Sequence, residues 1–149
     1  MPYIDIFNGD ADGILALHQL RLTNPHKSRL ITGVKRDTKL LQFALSTHGS
    51  VITVLDISSH SNREPLLQLL NQGNTIHYFD HRFAGKIVEN SLFHSQIDTS
   101  PSVCTSILVD RYFEGKYRLW AVAAAFGDNL HSSALQLAES LKLDLKKTD

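Results

Sequence analysis

The stretch YIDIFNGDADG, residues 3–13, decides how the rest of the chain is read. Tyr3 to Phe7 is a short β-prone run, and the polar loop after it sets Asp10 and Asp12 between Gly9 and Gly13. Beyond the loop, Ile14, Leu15, Leu17, Leu20 and Leu22 give a mostly apolar helical segment that Asn24-Pro25 stops. Strand, loop and helix in direct succession are the unit from which parallel sheets are built.

The unit recurs along the chain. Leu30 to Val34 reads as a second strand and Thr38 to Ser46 as a helix. Val51 to Leu55 is a near-continuous apolar strand, as expected where both faces of a parallel sheet are covered. Ser61 to Gln72 reads as a helix, with Ser61 as cap, Glu64 three residues on and Gly73 as its stop. Thr75 to Phe79 is a fourth strand and Phe93 to Ile97 a last one, followed by helices over 102–113, 118–126 and 132–141. The expected architecture is one α/β domain over residues 1–149: a doubly wound, mainly parallel sheet flanked by helices, with a helical C-terminal third. Residues 142–149 are expected to fray.

Composition narrows the function. No apolar run approaches the ~20 residues of a membrane helix, so no membrane partner is expected. MPYIDIFNGD has neither a basic nor an apolar leader region, so no signal peptide is expected. Cys104 is the single cysteine, which excludes a disulfide framework and points to a cytoplasmic setting. Fifteen basic residues balance fifteen acidic ones, leaving no bulk field to attract long duplex nucleic acid. Of those fifteen acids, eleven are Asp, a residue that favours caps, turns and metal sites over helix interiors.

Ligands of an open parallel sheet bind beyond the carboxyl ends of its strands. There the first strand is followed by Asn8, Gly9, Asp10, Ala11, Asp12 and Gly13, the third by Asp56, and the fourth by Asp80-His81-Arg82. Carboxylates crowded along one edge repel unless cations sit among them. Oxygen donors with some imidazole suit Mn²⁺ or Mg²⁺, with Co²⁺ tolerated. The bland alternative is that each Asp only caps a helix or forms a turn. Gly9 and Gly13 permit tight turns and close backbone approach to a ligand.

DADG after the first strand, LDIS after the third and FDHR after the fourth resemble the first three motifs of the DHH phosphoesterase superfamily, of the RecJ-like kind. GDN at residues 127–129 resembles the fourth. The resemblance runs from residue 5 to about residue 130 and does not reach the second, substrate-binding domain that family members carry. It implies two metal ions, Mn²⁺ in the first place. Asp10 would ligate one and Asp12 the other, Asp56 would bridge them, and His81 and Asp128 would complete the second. Asn8 falls where the family has a charged ligand and would bind weakly. Asp80 would orient His81 from behind, fixing its tautomer. Arg82 stands where the family has a second His; it can clamp a phosphate but cannot donate a proton at neutral pH.

The implied activity is hydrolysis of phosphodiester or phosphoanhydride bonds in a small nucleotide or short oligonucleotide, with His81 and Arg82 at the reacting phosphate and a hydroxide held between two ions as nucleophile. A degenerate domain that binds metal or nucleotide without turnover stays open beside it. So does a haloacid-dehalogenase-like phosphatase with Asp10 as nucleophile. Lys35, Arg36 and Lys39 are read as a solvated helix start. Thr99, Ser100, Ser102, Thr105 and Ser106 are read as phosphate donors or ordinary caps. Asp98 is expected in a turn, Cys104 buried, His131 exposed, and Trp120 and Phe126 in the core.

Overall fold

The structure is a computed structural model that describes residues 2–148, with side chains as far as Leu141. Five strands, β1 (Tyr3–Asn8), β2 (Arg29–Gly33), β3 (Val51–Leu55), β4 (Thr75–Asp80) and β5 (Phe93–Ile97), form one all-parallel sheet in the order β2-β1-β3-β4-β5. The helices are α1 (Ala11–Thr23), α2 (Arg63–Asn71), α3 (Thr105–Tyr112), α4 (Arg118–Gly127) and α5 (His131–Thr148). The expected fraying of 142–149 falls on side chains outside the described residues.

Alternation along the strands divides the core in two. Ile4, Ile6, Ile52, Val54, Ile76 and Tyr78 point to the face covered by Leu66, Leu69 and Leu70 of α2. Phe7, Leu55 and Phe79 point to the other face, against Ala16 and Leu20 of α1 and Val109 of α3. In this strand order the connections after β1 and β3 leave in opposite directions, so the crevice between their carboxyl ends is the natural ligand site.

Three expectations change. The Thr38–Ser46 helix shrinks to a 3₁₀ turn, Leu41–Ala44. Leu40, Leu41 and Ala44 are buried there, and the Asn62 amide pins the segment by accepting from Leu41 N–H and donating to the Thr38 carbonyl at 2.6 Å. The same Asn62, not Ser61, is the N-cap of α2, and its side chain makes no capping bond to that helix. Trp120 and Phe126 are 36% and 41% exposed rather than in the core. α4 instead buries Ala121, Ala124 and Ala125, whose small side chains permit close packing against α1, α3 and α5.

Candidate metal centre

Each arm of the candidate site is delivered by a local device. Asp10 is the N-cap of α1, its carboxylate accepting from Gly13 N–H at 3.0 Å. Behind it, Asn8 accepts from Asp10 N–H through its amide oxygen and donates to the Lys35 carbonyl, at 3.2 and 3.3 Å. A Cβ at Gly13 would lie 2.1 Å from the Asn8 carbonyl oxygen, and one at Gly9 would lie 2.3 Å from that of Gly33. The close approach these glycines permit is therefore to the protein's own backbone, not to a ligand as the sequence suggests.

Asp56 follows β3 in the left-handed region, at φ 64°. That conformation is uncommon for a residue with a side chain, though Asp adopts it more readily than most. Its N–H donates to the Phe79 carbonyl at 2.9 Å, so the turn is tied to β4. Asp128 arrives from far along the chain at the C-cap of α4. Asn129, at φ 60°, and Leu130 close that helix: their N–H groups return to the Phe126 and Ala125 carbonyls, and Leu130 packs on the α3–α4 core. GDN is thus a helix stop that sets a carboxylate facing α1.

Two sets of donors converge. Ligand atoms of Asp12, His81 and Asp128 lie within 4.8 Å of one another, as do those of Asp56, Asp80 and His81. Asp12, Asp56 and Asp80 are almost wholly buried. Asp12 accepts from the N–H groups of Thr105 and Ser106, at 2.9 and 2.8 Å, at the start of α3. The end of the α3 dipole favours its charge. Asp56 Oδ1 is crowded: Thr105 Oγ1 (3.1 Å) and Arg82 Nη1 (2.9 Å) donate to it, and His81 Nε2 lies at 3.1 Å. Its other oxygen, Oδ2, is buried with no hydrogen-bond partner.

The electrostatics match this crowding. Burial pushes the Asp56 carboxyl up to about 7, helped by the charges of Asp12 and Asp10 and opposed by His81 and Arg82. Burial, then Asp12 and Asp10, raise Asp128 as well. The hydrogen bond to Asp56 raises His81. A cluster with more carboxylate than cation, and an orphaned buried carboxylate oxygen, fits a divalent ion.

The structure brings together Asp12, Asp56, Asp80, His81 and Asp128 of the expected residues. Asp10 belongs to neither donor set, though its charge is felt by Asp56 and Asp128. Asn8 serves the loop. Asp80 is expected to orient His81; instead its two oxygens accept from Arg82, from Nη1 at 2.7 Å and the backbone N–H at 3.3 Å. A guanidinium two residues on outcompetes the imidazole, because it can reach Asp56 and Asp80 with one nitrogen. Arg82 is thereby tied to carboxylates in this structure.

Thr105 and Ser106 are the residues the sequence undervalues. They read as generic hydroxyls, and only the packing of α3 against α1 shows that they hold Asp12 and Asp56. Ser106 also donates to the Asp12 carbonyl at 2.9 Å. Asp98 accepts from Ser100 N–H in a turn, Cys104 is buried with its thiol pushed well up, and His131 is exposed, as expected. Lys35, Arg36 and Lys39 are exposed as well, but in the loop after β2 rather than at a helix start.

No family model matches the chain, and no curated protein matches it in sequence. Solved structures do match it in fold. An exonuclease RecJ bound to manganese superposes with a TM-score of 0.55 over 91% of this chain at 16% identity. RecJ from Thermus thermophilus in complex with Mn²⁺ superposes with a TM-score of 0.52 over 85% at 17% identity. The chain spans 41% and 21% of the lengths of those two. The fold is therefore RecJ-like, as the DHH resemblance implies.

Proposed function

We propose that this chain is a metal-dependent phosphoesterase domain of the DHH type, acting on phosphodiester or phosphoanhydride bonds of a small nucleotide or short oligonucleotide. The observation that carries the reading is the convergence of Asp12, His81 and Asp128, from three distant parts of the sequence, at the carboxyl edge of a RecJ-like sheet. The orphaned Asp56 Oδ2 beside them supports it. The RecJ structures are bound to manganese, so Mn²⁺ is the ion we favour, with Mg²⁺ or Co²⁺ as substitutes.

Asp12, His81 and Asp128 would hold the ion, with Asp56 contributing its free oxygen. An ion bound there supplies Lewis acidity and a water activated for attack on phosphorus. Thr105 and Ser106 fix the Asp12 carboxylate, which removes the need to reorganise it as charge develops. Lys35, exposed in the loop after β2, is near enough for its charge to be felt at Asp128 and would favour an anionic substrate there. Arg82 Nη1 is committed to Asp56 and Asp80, which leaves Nε and Nη2 of the same guanidinium to meet a phosphate oxygen.

The test is hydrolysis of a dinucleotide, a cyclic dinucleotide and pyrophosphate by the EDTA-stripped protein resupplied with Mn²⁺, Co²⁺ or Mg²⁺. Turnover of at least one, lost in Asp12→Asn, is the expected result. A second reading, a domain that binds without turnover, is favoured by the engagement of Arg82 and Asn8 in the protein's own contacts. Mn²⁺ binding with no hydrolysis of any of these substrates would select it.

A further inference from the structure

The DHH resemblance implies two ions, yet the two donor sets are not equivalent. Nothing cationic but His81 is within ion-pair distance of the Asp12–His81–Asp128 set among the described residues. The Asp56–Asp80–His81 set already contains a cation. Arg82 Nη1 sits 2.9 Å from Asp56 Oδ1 and 2.7 Å from Asp80 Oδ1, so one guanidinium nitrogen bridges two buried carboxylates. A metal ion would bridge such a pair in the same way.

Of the carboxylates that the resemblance gives the ion not held by Asp12 (Asp10 and Asp56), only Asp56 belongs to a donor set. Asp10 caps α1, Asn8 uses both ends of its amide within the loop, and Asp56 Oδ1 carries Arg82, Thr105 and His81 contacts. A divalent ion binding Asp56 and Asp80 would face the guanidinium across shared oxygens, two like charges within a few ångströms. Arginine cannot lose its proton to relieve this. The ion must therefore expel Arg82 or stay out.

We infer that the Arg82 guanidinium takes the place of an ion in the Asp56–Asp80–His81 set, so that the chain holds a single divalent ion, at Asp12, His81 and Asp128. The inference rests on the metal reading above and concerns only the count and the place. It assigns Arg82 as a positioning cation for Asp56 and Asp80 rather than solely a phosphate clamp.

The experiment is Mn²⁺ titration of the EDTA-stripped chain by calorimetry, with electron paramagnetic resonance on the loaded samples to separate isolated from spin-coupled ions. Wild type is expected to bind one Mn²⁺ with an uncoupled spectrum. Arg82→Ala is expected to bind two, spin-coupled through Asp56, and Arg82→Lys, which keeps the charge, to bind one. Circular dichroism establishes that each variant is folded. Should Arg82→Ala not fold, the wild-type and Arg82→Lys counts still decide. Two coupled ions in wild type, or one ion in folded Arg82→Ala, would overturn the inference while leaving the metal reading intact. No binding by any of the three would overturn both.

Discussion

Two polar layers lie on the same side of this sheet, one rung of apolar residues apart. In the lower layer Asp5, Thr53, His77 and His94 stand in register across β1, β3, β4 and β5. Above them come Phe7, Leu55 and Phe79, and above those the carboxylates of the candidate centre. Asp5 is as buried as Asp56, at 1% exposure each. Both of its oxygens are satisfied, by Arg21 Nε and Nη2 and by Ser28 Oγ. Asp110 is likewise held on both oxygens by Arg118. Asp56 has three partners on one oxygen and none on the other. The difference teaches how a structural buried carboxylate is distinguished from a site: the first has its lone pairs closed by fork-shaped arginine contacts, while the second leaves an oxygen open and its charge opposed.

Breaking the closed pair should have the largest effect. Arg21→Ala strands the buried Asp5 charge and is expected to cost about 3–5 kcal/mol in urea unfolding at pH 7. A loss below about 1 kcal/mol would show that the lower layer is no better matched than the upper one. The open layer should respond to metal instead: Mn²⁺ at a hundredfold excess over its Kd should stabilise wild type by about 2.7 kcal/mol. The gain should vanish with EDTA and in Asp12→Asn, as followed by thermal unfolding. Equal gains in wild type and Asp12→Asn would place the ion elsewhere.

Thr105 sharpens the contrast because it serves only the upper layer. Thr105→Val removes the hydroxyl from Asp56 Oδ1 but keeps the backbone N–H to Asp12. About 1–2 kcal/mol of stability should go, and Mn²⁺ affinity should weaken about 10–100-fold. Thr105→Ser should recover both in the same titrations, an outcome that a purely steric role for the methyl group would not produce.

The smallest effect belongs to the one imperfect match in the lower layer. His77 and His94 stack at 5.0 Å, and burial, then His94, lowers the pKa of His77. A lowered folded pKa means that the unfolded chain binds more protons, so stability rises with pH up to the ordinary value near 6.5 and is lost on acidification below it. His77 is half-buried, so solvent screening keeps the effect small between pH 7 and 5. His77→Gln should flatten that part of the stability profile, and an unchanged slope would assign it to other groups.

Much of the upper layer was legible because strand ends are legible. Apolar runs with β-branched residues fall at Tyr3–Phe7, Val51–Leu55 and Thr75–Phe79, and a parallel sheet forces whatever follows them onto one edge. Asp128 was reached only through the family resemblance, since nothing in its own neighbourhood predicts a helix end facing α1. The Thr38–Ser46 segment has helical apolar spacing, yet its form is decided by Asn62, more than fifteen residues away, which takes up the backbone groups a helix would have used. Trp120 and Phe126 misled because aromatic residues usually pack inside, whereas α4 needs alanines where it meets its neighbours.

The sequence by itself determined the alternation of strands and helices, the parallel sheet and the row of acids at its carboxyl edge. These depend on periodicity and on residues adjacent in the chain. Only the tertiary structure decided which of those acids meet, that Asp80 holds Arg82 rather than His81, and that Thr105 and Ser106 hold Asp12 and Asp56. Those outcomes are settled by competition among donors brought together from α3, β3 and β4. A hydrogen bond goes to the group that arrives at the right distance, and no spacing along a single segment encodes that arrival.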